Sequence, residues 1–113
     1  GEQPTAFILV CKEGRGNPWD DIDAGIAVRN MALNACAYGI GSAILGAVEW
    51  NGVKDILSVP ETWNPRLLMA LGYPSCESHI VDVPESGSIK YFLDENKNYC
   101  VPKRALKDIC IVK

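Results

Sequence analysis

The chain predicts an α+β or α/β domain, a sheet covered by helices, and three stretches carry that expectation. Two are of strand length, the continuous apolar run Ala6-Phe7-Ile8-Leu9-Val10 and Arg66-Leu67-Leu68-Met69-Ala70-Leu71, apolar after its first residue. The third is an alanine-rich helical pattern that begins near Asp23, has almost no polar face, and ends at Gly39-Ile40-Gly41-Ser42. At 113 residues a chain can build one core and not two, so residues 1–113 are read as a single domain.

Thr5 to Cys11 is bounded by Pro4 and by Gly14-Arg15-Gly16-Asn17-Pro18. An unbroken apolar run between breakers is the pattern of a strand buried on both faces, so it is expected to be central in its sheet. Trp19 follows as a lid or packing residue, and Asp20 or Asp21 is expected to cap the next helix. Along that helix Ala27, Met31, Asn34 and Tyr38 share one stripe, and Ala24, Val28, Ala32 and Cys36 share another. A helix apolar on all sides must be enclosed, here between a sheet and a neighbouring subunit, with Met31 and Tyr38 in that interface and Gly39 as the left-handed closing residue. Beyond it, Ser42 to Trp50 reads as extended or irregular chain, and Asn51 as the cap of a short helix through Val53, Ile56 and Leu57.

Pro60, Asn64 and Pro65 predict a loop ahead of the second strand, which Gly72-Tyr73-Pro74 ends, with Tyr73 packed structurally. A hairpin is expected from Ile89–Leu93 and Tyr99–Val101 around Asp94-Glu95-Asn96-Lys97-Asn98. Arg104 to Val112 is expected to be a short helix or an extended tail.

A net charge of −3 supplies no general basic field, and neither helix-turn-helix nor RRM patterns occur, so nucleic acid is not an expected partner. Residues 24–48 carry one charge, Arg29, over a length that could span a bilayer. Arg29, Asn30, Asn34, Gly39 and Gly41 argue against insertion, because a charge at a helix centre costs about 2.5–3.5 kcal/mol. The chain opens Gly1-Glu2-Gln3-Pro4 without the basic region of a secretory signal. Five cysteines without Cys-x-x-Cys spacing and one histidine, His79, suggest neither a zinc site nor a disulfide framework. Cys11 and Cys36 lie in apolar runs as small hydrophobes, and the protein reads as cytoplasmic.

No nucleophile–base–orienter set can be assembled around a lone histidine, and Asp20, Asp21 and Asp23 suit capping better than catalysis. No catalytic or metal-ligating residue is therefore assigned. Gly14-Arg15-Gly16 is too short for a phosphate loop. Chemistry is then expected to reside in a bound cofactor that the protein positions. The bend after the long helix could offer main-chain donors to a flat ligand, and Lys103, Arg104, Lys107 and Lys113 against Asp108 make a local cationic tail.

The ordered series Asp23-Ala24-Gly25-Ile26-Ala27, Arg29-Asn30-Met31, Ala37-Tyr38-Gly39-Ile40-Gly41-Ser42, Ile44-Leu45-Gly46, Leu57 to Pro60, Leu68 to Pro74 and Val101-Pro102-Lys103-Arg104-Ala105-Leu106 resembles the C-terminal half of the FMN-dependent nitroreductases. The resemblance implies an α+β fold with an antiparallel or mixed sheet and a central buried interface helix. It also implies a homodimer with FMN at the subunit interface and hydride transfer from NAD(P)H to nitro compounds, quinones or related acceptors. Ile44-Leu45-Gly46 matches the backbone that passes the flavin N5, which makes Leu45 and Gly46 cofactor-binding residues. Lys103 and Arg104 match the basic pair that grips the FMN phosphate. The family's N-terminal phosphate motif and ring-contacting asparagine have no counterpart here, so the alternative is a truncated, non-catalytic dimerisation module.

Overall fold

The computed structural model describes residues 3–111 and divides the chain into two compact units, Gly1–Pro74 and Ser75–Lys113. Val112, at the end of the expected tail, and Lys113, the last of its cations, lie outside the described residues, as do Gly1 and Glu2.

The first unit contains β1 (Ala6–Glu13), α1 (Asp20–Ala37), β2 (Gly41–Leu45), α2 (Trp50–Leu57) and β3 (Trp63–Gly72). Its sheet is antiparallel, in the order β1-β3-β2. β1 is therefore an edge strand, contrary to the central position its apolar run predicts, and Phe7 is 56% exposed. The middle place belongs to β3, where Met69 is wholly buried and Ala70 nearly so. Ile8, Met69 and Ile44 form one cross-strand row on the face toward α1, and Leu9, Leu68 and Leu45 form a row on the opposite face. Val28, Ala32 and Met69 make the core, packed around by Ile8, Val10, Met31, Ala35, Leu67 and Leu71.

Pro65 sits inside β3 rather than in a loop before it. Val10 faces Leu67 and Cys11 faces Pro65, so Arg66 is the extra residue of a β-bulge. β2 pairs only with Leu68–Gly72, and the proline's missing N–H therefore falls outside the doubly paired part of the strand. The bulged Arg66 reaches Asp21 in the first turn of α1, Nη2 to Oδ2 2.6 Å. Asp21 is thus an ion-pair partner rather than a cap. Asp20 does not cap forward either: its carboxylate accepts from the backbone and side-chain N–H groups of Asn17, and Trp19, 66% exposed, holds the N-cap position.

α1 ends as the glycine predicts. Gly39 has φ +72°, Ile40 N–H donates to Ala35 O and Gly39 N–H to Cys36 O, both at 3.0 Å, the paired bonds of a Schellman closure. Only one stripe of α1 is covered in this chain, at Ala24, Val28 and Ala32. Ile22, Ile26, Leu33, Cys36 and Tyr38 remain exposed, so Cys36 is not the buried hydrophobe its sequence setting suggests. Tyr73 is likewise exposed rather than packed. In α2 the cap is Glu49, whose carboxylate accepts from the N–H groups of Asn51 and Gly52; Asn51 lies inside the first turn.

The second unit contains β4 (Ser78–Asp82), β5 (Phe92–Leu93), β6 (Tyr99–Lys103) and α3 (Leu106–Ile109). β6 lies between β4, which is parallel to it, and β5, which is antiparallel. The expected hairpin is the β5–β6 pair, and the expected terminal helix is α3. β4 was not legible in the sequence: Ser78-His79-Ile80-Val81-Asp82 is short and polar at both ends. His79 stands exposed on it, Nε2 3.4 Å from Glu77.

Candidate functional site

The four residues singled out as cofactor contacts fall two to each unit. In the first, Leu45 closes β2 and Gly46 follows directly. β2 is a sheet edge, so among the described residues the outward N–H and C=O groups along one side have no strand partner. The Leu45 side chain lies on the face away from α1. Gly46 has no positive φ, and a Cβ there would meet only Leu67 Cδ2 at an ordinary 3.9 Å. Neither backbone conformation nor packing within this chain requires a glycine at that point.

In the second unit Lys103 is the last residue of β6 and Arg104 the next in the chain. Both line a cavity of about 590 Å3 together with Asp82, Lys107 and Asp108. Asp82 arrives there because β4 pairs with β6 in a register that sets it beside Lys103. Among the described residues neither Lys103 nor Arg104 makes an ion pair. Two exposed cations adjoining one cavity suit a phosphoryl group, which takes charge-assisted bonds and, from arginine, a bidentate pair. Lys107 and Asp108 are visible in the sequence as part of the cationic tail, whereas Asp82 lies far from it in the chain and its signal is the short strand β4.

The turn leading into β6 is fixed by Asp94. Its carboxylate accepts from the backbone N–H groups of Asn98 (2.8 Å) and Asn96 (2.9 Å) and from the Asn98 side chain (3.3 Å). Asn98 in turn accepts from Glu77 N–H at 3.1 Å, which ties the turn to the start of β4. These bonds, led by that from the Asn98 backbone, hold the Asp94 carboxyl below its ordinary 3.8. A depressed folded-state value contributes stability above the unfolded value, and that contribution is lost as pH falls through the folded one. Asp94→Ala is therefore expected to lower the melting temperature near neutral pH and to make progressively less difference below about pH 4. Parallel melts of both proteins across that range check it; an equal gap throughout would mean that ionisation of Asp94 is immaterial.

Other groups offer less. Cys11 lines a cleft of about 290 Å3 with Asp20, Asp23 and Arg66. Burial pushes its thiol up, against an opposing effect of the Lys54 charge, which suppresses the reactive thiolate. Among the described residues no cluster of His, Cys, Asp and Glu could hold a metal ion, and no helix is long and apolar enough to cross a membrane.

The sequence model of the nitroreductase family matches residues 3–73, more than half of the chain. This chain belongs to the nitroreductase family. Two solved structures are similar to the nitroreductase-family chain. One, from Bacteroides thetaiotaomicron VPI-5482, is described as an NADH dehydrogenase/NAD(P)H nitroreductase; it has TM-score 0.57 and 23% identity over 66% of this chain and 46% of its own. The other, from Clostridium acetobutylicum, is described as an NADH oxidase; it has TM-score 0.60 and 17% identity over 97% of this chain and 59% of its own. At such identities the likeness is one of fold, and it supports the nitroreductase-like α+β architecture. The chain spans about half the length of these structures. No curated protein matches it.

Proposed function

We propose that this chain supplies part of the catalytic domain of an FMN-dependent NAD(P)H oxidoreductase that acts as a homodimer. The observation that carries the reading is the Lys103–Arg104 pair, exposed, without ion-pair partners among the described residues, and bordering a cavity with ample room for a phosphoryl group. Gly46 supports it, because a glycine that the chain's own fold does not require is one that a close-lying ligand can use. Lys103 and Arg104 would hold the FMN phosphate, and the main chain at Leu45 and Gly46 would offer its polar groups to the ring. The chemistry supplied by bound FMN is hydride transfer from NAD(P)H to nitro compounds, quinones or related acceptors. The protein's part is to neutralise the phosphate, orient the ring and exclude water from it.

The exposed apolar side of α1, with Ile22, Ile26 and Leu33, suits burial against a second copy. It equally favours a second reading, a dimerisation module without catalysis. We assign the protein to the cytoplasm within the same proposal.

Titrating FMN into the protein separates the two readings. Flavin fluorescence should be quenched, the absorbance band should shift, and NAD(P)H should be oxidised once a quinone is added. A dimer by sedimentation that produced none of these signals would establish the interaction module and overturn the flavin reading.

A further inference from the structure

The cavity of the second unit holds more charge than two residues account for. Lys103, Arg104 and Lys107 all line its roughly 590 Å3, together with Asp82, the register partner of Lys103, and Asp108, the chain neighbour of Lys107. Among the described residues none of the three cations makes an ion pair, so their charges are available to a ligand. Lys103 and Arg104 come from the end of β6, and Lys107 comes from α3. The cations thus approach from two separate elements, which a bound anion can bridge.

We propose that Lys107 is a third anion-binding residue of this cavity, acting with Lys103 and Arg104 on a single phosphoryl group. This rests on the reading of Lys103 and Arg104 as phosphate ligands. Three cations less two carboxylates leave the lining at net +1, so a dianionic phosphoryl group draws on every cation, and losing one leaves the lining with no net charge to attract it. Asp82 and Asp108 oppose binding and keep the cavity from being a general anion sink. The lysine ammonium acts as a point charge on a flexible stem, complementing the planar fork of Arg104.

The test titrates inorganic phosphate into the intact chain at constant ionic strength, read by heat of binding and by shift in melting temperature, for the wild type, K107Q, R104Q, D108N and K90Q. Lys90 is exposed and outside the cavity lining, so K90Q controls for net charge. K107Q should weaken phosphate about tenfold, as R104Q does, while D108N tightens it severalfold and K90Q changes nothing. Unchanged phosphate affinity in K107Q alongside weakening in R104Q would overturn the role of Lys107 and leave the flavin reading intact. FMN titrations of the same proteins judge that reading separately: a wild type that takes phosphate but not FMN removes the flavin and keeps the anion site.

Discussion

Replacing Met69 by alanine is expected to lower the free energy of unfolding by about 3 kcal/mol, the usual range for emptying a buried methionine site. Met69 is fully buried on the middle strand, and with Val28 and Ala32 it makes the core cluster between sheet and α1. Few residues are buried here, and a loss of that size is a large part of a small domain's stability. Urea unfolding of the two proteins measures it. A difference below about 1 kcal/mol would mean that Met69 is not the keystone of this packing, because so small a cost belongs to surface sites.

The double variant K103Q/R104Q is expected to lose about a hundredfold in FMN affinity with an unchanged melting temperature. Each charge-assisted bond to a phosphate contributes on the order of 1.5 kcal/mol, and two of them approach 3 kcal/mol, a hundredfold or slightly more. Both side chains are exposed and lack ion-pair partners among the described residues, so removing their charge should leave the fold in place. Fluorescence titration with FMN measures the first quantity and calorimetry the second. An affinity change under about threefold would strip the pair of its phosphate role.

Local chemistry that rests on one residue and its neighbours was legible in the sequence. Gly39 closes α1 with a positive φ, a conformation that its missing side chain makes cheap, and the sequence displays the glycine directly. The Asp94–Asn98 turn is equally readable from its polar residues between two short strands. Rank within a sheet was not legible. Ala6–Val10 and Leu67–Leu71 look alike in composition, yet one forms an edge and the other the centre, and the difference lies in which strands pair. Pro65 misled for a related reason, since its tolerance inside β3 depends on where β2 stops pairing. The caps failed differently: Asp20 and Asp21 are suitable residue types, but Asn17 and Arg66 compete for them. In the candidate site, Lys103 and Arg104 were visible as charge, whereas Asp82 joins them only through a parallel pairing between distant segments.

The strand order β1-β3-β2 also bears on how the molecule is made. The middle strand is the last of the three to leave the ribosome, and its pairings with β1, such as Leu71 with Ala6, join residues far apart along the chain. Until Gly72 has emerged, two oily ribbons have nothing to zip against, so completion of the first unit is a late, long-range event. A nascent chain halted before Trp63 would hold α1 without the sheet that shelters it, a natural client for a chaperone.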